Sequence, residues 1–179
     1  YKCIEEMLEW PLQVRMLLVG LLPKPAGGER PISLACTLYR VWMRMRKFIL
    51  RDWCAAHAGF WDKAVAGSSA LRAALVRLLF DELHTLKGYQ ISRLLWDIEK
   101  FYDSIGWPQL IRGAERLDYP LELLYLGLQV HCAPRILRLE GHHSELIPLL
   151  CSILQGCTQS NDLARASLYG ILDKMHVLH

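Results

Sequence analysis

The residue best placed to do chemistry is Asp97, which follows the apolar run Leu94-Leu95-Trp96 and precedes Ile98. A carboxylate where a buried strand runs out costs several kcal/mol unless a cation or hydrogen bonds hold it. Mg²⁺ is a hard ion that takes carboxylate and phosphate oxygens together, and nucleotidyl transfer uses two such ions on rigid, sheet-borne aspartates. An acid capping the next turn explains the same residue equally well. A second feature is basic: Arg40, Arg44, Lys47 and Arg51 step by 4, 3 and 4, so on a helix they form one stripe. Such a stripe can lie along nucleic-acid phosphates, or it can be an ordinary solvated face. The pair His142-His143 with Cys151 and Cys157 lacks the short paired spacing of zinc ligands and reads as a polar hairpin turn. No Walker loop, HExxH helix, GxSxG elbow or glycine-rich dinucleotide turn occurs, so ordinary hydrolase and dehydrogenase readings lose support.

The elements that must position these residues follow from the pattern of the chain. Its 179 residues are 53% hydrophobic and 22% charged, enough for one domain with a core or two small lobes. With 21 Lys and Arg against 18 Asp and Glu the net charge is only +3, so any anionic partner must be met by local clustering. Six cysteines, none in a CxxC pair, read as buried intracellular thiols. No apolar run reaches membrane-spanning length and no signal peptide opens the chain, which implies an interior aqueous compartment. Both ends look cut from something longer: the first residue is Tyr1, and an apolar helical pattern runs on to His179.

Val14 to Leu22 and Arg30 to Cys36 are apolar runs around a turn-rich Pro23 to Glu29, which predicts a β-hairpin. From Thr37, a fair N-cap, to about His57, the residues Leu38, Val41, Trp42, Met45, Phe48, Ile49 and Trp53 recur at three and four and predict a helix buried on that face. Trp42 and Trp53 are read as core. Further helices are expected from Ser68 or Ser69 to Leu86, over Pro108 to Leu117, over Pro120 to Val130, and from Asn161 to Val177 with Asn161 or Ser160 as cap. Strands are expected over Gln90 to Ile98, Arg135 to Leu139 and Glu145 to Leu154, the last two around a Gly141-His142-His143 turn. Irregular alternation of helices and antiparallel hairpins gives an α+β class.

Taken in order, Pro23-Lys24-Pro25 with Arg30-Pro31-Ile32, then Asp97-Ile98-Glu99-Lys100-Phe101-Tyr102-Asp103, then Leu154-Gln155-Gly156-Cys157, the chain resembles the reverse transcriptases of non-LTR retrotransposons and group II introns. The resemblance covers roughly residues 15 to 175. It implies a right-hand polymerase fold, with a fingers-like region over 1–88 and a partial palm over 89–179. It also implies an RNA template, a DNA primer, dNTP substrates and Mg²⁺, with Asp97 as catalytic acid and metal ligand and the Ile98 carbonyl as a second ligand. Lys24 and Arg30 would meet the triphosphate, although Lys24 also reads as a solvated turn residue and Arg30 as a partner of Glu29 or Asp103. The Tyr102 ring would lie under the sugar and exclude a 2′-hydroxyl, the group that distinguishes RNA from DNA; a core aromatic is the alternative. Asp103 reads as a structural cap. Gln155 and Gly156 would border the new base pair, and Arg40, Arg44, Lys47 and Arg51 would follow the template duplex.

Two departures accompany the resemblance. Cys157-Thr158-Gln159-Ser160-Asn161 keeps the family's serine and loses its prolines. No Asp-Asp occurs, so one of three implied carboxylates is present, and Asp173 lies within a helix pattern. The chain by itself is therefore expected not to polymerise, and a non-catalytic nucleic-acid-binding remnant is the alternative.

Overall fold

The computed structural model describes residues 1–25, 27–65, 67–93 and 98–177, with only the backbone given for 176 and 177. The hairpin forms as the turn chemistry predicts. β1 (Leu17–Pro23) pairs antiparallel with β2 (Glu29–Leu34), from Leu18 opposite Leu34 to Pro23 opposite Glu29. Gly27 and Gly28 carry the turn at φ +87 and +79, a region open to residues without a Cβ.

Five of the helices come close to their expected bounds, and two short ones, at Lys2–Met7 and Phe101–Ser104, have no counterpart in the sequence reading. In chain order they are α1 (Lys2–Met7), α2 (Thr37–His57), α3 (Ala70–Leu86), α4 (Phe101–Ser104), α5 (Trp107–Arg116), α6 (Leu121–His131) and α7 (Ser160–Val177). Sequence reading placed nothing before Val14, where the structure has α1 and a short 3-10 turn at Leu12–Val14.

The remaining strands are β3 (Arg135–Leu139) and β4 (His142–His143), and the sheet order is β2-β1-β3-β4. β1 and β3 are parallel, Leu17 opposite Arg135 and Leu18 opposite Ile136, so the sheet is mixed rather than antiparallel throughout. A parallel neighbour requires a long crossover, and here that crossover includes α2 to α6. The architecture is therefore α+β in a coarse sense.

Several expectations are corrected. His142 and His143 form β4 itself, because Glu140 and Gly141, both at positive φ, make a tighter turn than the one expected over 141–143. Glu145–Leu154 is not a strand and keeps only a bridge between Ile147 and Arg135. Of the strand expected over Gln90 to Ile98, residues 90–93 and 98 carry no regular structure and 94–97 lie outside the described residues. The helix at 37 is preceded by Cys36 as its cap residue, so Thr37 is its first residue. Only Cys54 of the six free thiols is buried, and Cys3 and Cys151 are exposed.

The α2 face is rotated from the expected one. Trp42 and Trp53 are buried as read, but they share their face with Tyr39, Met43, Leu50 and Cys54, while Leu38, Val41, Met45 and Phe48 are 41–54% exposed. The rotation has two visible anchors. Trp10, with no exposed surface, packs edge-on against Tyr39 and Trp42, and its Nε1 donates to the Leu126 carbonyl at 3.0 Å. Glu5 on α1 accepts from Trp42 Nε1 at 2.7 Å and from Arg46 Nε and Nη2 at 2.7 and 2.6 Å. The Arg46 hydrogen bonds, with help from Trp42, hold the Glu5 carboxyl below its usual range although burial opposes them.

One apolar core runs from Trp10 and Leu17 through α2 to Leu110, Leu126, Ile153 and Leu163. Gly113 on α5 lies against the backbone of Ala166 on α7, leaving no room there for a Cβ.

Candidate functional site

Fifty-two residues of chain separate Tyr102 from the Gln155-Gly156 segment, and the fold brings the two stretches together. The Ile153 N–H donates to the Tyr102 carbonyl at 2.9 Å and the Ser152 N–H to the Ile105 carbonyl at 2.9 Å. Trp107 Nε1 donates to the Ser152 carbonyl at 2.8 Å, and Ser152 Oγ donates to Asp103 Oδ1 at 3.0 Å. Asp103, read from the sequence as a cap, instead braces the segment before Gln155. The brace extends into the sheet, where Arg135 Nη2 donates to Ser152 Oγ at 2.8 Å.

The other end of the segment is fixed too. The buried His131 accepts the Leu154 N–H at Nδ1, 2.9 Å away, and Ser160 Oγ donates to the Leu154 carbonyl. Between these anchors the loop 155–158 turns on Gly156 at φ +82, with the Cys157 N–H on the Leu154 carbonyl at 3.3 Å. A side chain at 156 would be strained in this left-handed conformation.

Tyr102 is half-buried, and its hydroxyl donates to Asn161 Oδ1 at 2.7 Å, in the first turn of α7. It lines a cleft of about 360 Å³ with Trp61, Lys63, Asn161, Arg165 and Tyr169. A second cleft of about 440 Å³ is lined by Lys47, Arg51, Thr158, Asn161 and Arg165. Asn161 and Arg165 line both, so an aromatic surface and a basic lip adjoin across the start of α7.

A buried ionic group supports both clefts. Arg165 donates from Nε to Asp62 Oδ2 at 3.2 Å and from Nη1 to Asp162 Oδ1 at 2.9 Å, and Tyr169 donates to Asp62 Oδ2 at 2.6 Å. Burial raises the Asp62 carboxyl, but the Tyr169 hydroxyl, the Ala64 N–H and Arg165 outweigh it and hold it low. Burial prevails at Asp162, whose carboxyl is raised despite Arg165. The group ties the 58–65 segment to α7.

The other residues named from the sequence are placed as follows. Lys24 and Arg30 are exposed on the β1-β2 hairpin, and among the described residues neither side chain is ion-paired, so the expected Arg30 partners Glu29 and Asp103 do not meet it. Arg40, Arg44, Lys47 and Arg51 are all exposed on one side of α2, but only Lys47 and Arg51 reach the clefts. Gln155 and Gly156 are exposed and line neither cleft. Ile98 is 52% exposed, and Asp97 lies outside the described residues. Among the described residues there is no group of three or more His, Cys, Asp or Glu that could hold a metal ion.

Sequence reasoning missed Thr158, Asn161 as a wall residue, and the Asp62–Arg165 pair. Asn161 was weighed only as a cap, and a partnership across 103 residues leaves no local pattern. No protein-family model and no curated protein matches the chain. Among the described residues no helix is long and apolar enough to cross a membrane.

Proposed function

We propose that the chain is the fingers and part of the palm of an RNA-directed DNA polymerase, which holds a primer–template hybrid along α2 and a deoxynucleotide beside Tyr102. The observation that carries this reading is the meeting of Tyr102 with the 153–161 segment next to Lys47 and Arg51. These residues come from regions that the resemblance assigns to nucleotide and template, although Gln155 and Gly156 themselves line neither cleft. In this reading Lys47 and Arg51 neutralise backbone phosphates without reading sequence. The Tyr102 ring, fixed by Asn161, limits the space at the sugar. Mg²⁺ belongs to the reading only through Asp97 and the Ile98 carbonyl. Arg30 and Lys24 would reach a triphosphate from the hairpin.

With no Asp-Asp in its sequence, the chain alone binds rather than polymerises. That lack also favours the second reading, a non-catalytic nucleic-acid binder. The test is binding of a fluorescent RNA–DNA hybrid at several salt concentrations. Lys47→Glu with Arg51→Glu should weaken binding at least tenfold and lower the log–log salt slope by about 2. Absence of hybrid binding at low salt, or a double variant that binds as the parent does, contradicts both readings. dNTP incorporation by the chain alone contradicts the inactivity.

A further inference from the structure

The helix α3 presents an anomaly that the proposed function does not absorb. None of its residues is buried, and Leu71, Leu75, Leu79, Leu83 and Leu86 are 51–83% exposed. At 100° per residue these five leucines fall on one face, and an apolar patch of that size on a soluble surface marks an interaction site. An isolated helix of this length is marginal in water, so packing must supply its stability.

The charges on the same face say what covers it. Arg72 lies near its N-terminal end and Glu82 near its C-terminal end, both exposed. Parallel pairing with another α3 would set Arg72 on Arg72 and Glu82 on Glu82. Antiparallel pairing about a two-fold axis at residue 77 sets Arg72 opposite Glu82 twice, and the same register places Leu75 opposite Leu79 and Leu71 opposite Leu83. Arg77, at the centre of that register, points directly away from the seam. A two-fold interface needs this self-complementarity, in which residue i meets j and j meets i.

We propose that α3 is a homodimerisation element and that two copies of this chain pair through it antiparallel. The test is sedimentation equilibrium of the whole chain from about 1 to 100 µM, a range that brackets the weaker specific protein pairs. The parent should be a dimer at the upper end. Leu75→Glu with Leu79→Glu should be monomeric with an unchanged circular dichroism spectrum outside the α3 contribution, because both residues are more than half exposed. Arg72→Glu should weaken the dimer at least tenfold, and adding Glu82→Arg should restore it. A parent that stays monomeric at 100 µM overturns the proposal, as does a dimer indifferent to these substitutions. Arg72→Glu that is not rescued by Glu82→Arg overturns the antiparallel register.

Discussion

His131 is fully buried, its Nδ1 accepts the Leu154 N–H, and its Nε2 has no hydrogen-bond partner among the described residues. Burial, reinforced by the nearby Arg135 charge, lowers its pKa from 6.5 to about 3, so the folded protein keeps the ring neutral. The unfolded chain binds a proton below pH 6.5 that the native state refuses. Stability is therefore at its full value above 6.5 and is lost as pH falls from 6.5 toward 3, by up to about 1.4 kcal/mol per pH unit. Urea denaturation across that window should show the slope, and His131→Asn, which keeps an acceptor without titrating there, should flatten it. Gln159 makes a comparable point with neutral groups. It is fully buried, accepts from the Tyr39 hydroxyl at 2.8 Å, and donates to the Tyr119 hydroxyl and the Leu123 carbonyl at 3.1 and 2.8 Å. Gln159→Leu takes the acceptor from the buried Tyr39 hydroxyl and the donor from the buried Tyr119 hydroxyl and should cost about 3 kcal/mol in urea denaturation. Trp42 and Trp53 were readable as core from their size and apolar spacing, although four other members of the same periodic set, Leu38, Val41, Met45 and Phe48, are exposed. Gln159 was not readable, since a polar residue gains its buried role from partners 36 to 120 positions away.

At the scale of elements, the five longer helices were legible nearly to their ends because their signals are local: Ser69 capping Arg72, Gly88 at φ +82 after α3, and Pro108 in the first turn of α5. The α2 orientation was not legible. Two apolar stripes compete on that helix, and Trp10, Glu5 and α6 decide which one is buried. Strand partnership was hidden for a similar reason, since β1 chooses β3 across more than a hundred residues. The contact of α5 with α7 is the place where an element can be tested alone. Gly113→Ala pushes a methyl group into the Ala166 carbonyl, and rigid backbone offers no easy retreat. The expected loss is roughly 2 kcal/mol of stability, and an unchanged urea midpoint would show that the helices part freely.

For the whole molecule, a net charge of +3 conceals a division of surfaces. Lys47, Arg51 and Lys63 gather at the paired clefts, while Glu6, Glu115 and Glu122 border an apolar groove of about 620 Å³ between α1, α5 and α6. An acidic rim repels phosphates, so nucleic acid should approach only the cleft side. The sequence reading gave Tyr102 to a nucleotide sugar and Lys47 and Arg51 to a template duplex, and the fold sets these three at adjoining clefts. Their supporting residues Asn161, Thr158 and Arg165 had no signature of their own, because walls of a cleft are made by topology. Photo-crosslinking with an azido-dATP in the presence of the hybrid and Mg²⁺, followed by peptide mapping, tests the central claim most directly. Under the proposed function, adducts should fall on peptides containing Tyr102 or residues 155–161, be weakened by Asp97→Asn, and be competed by dNTP more effectively than by rNTP. Adducts confined to the α5–α6 groove, or none above the level seen with denatured protein, would contradict it.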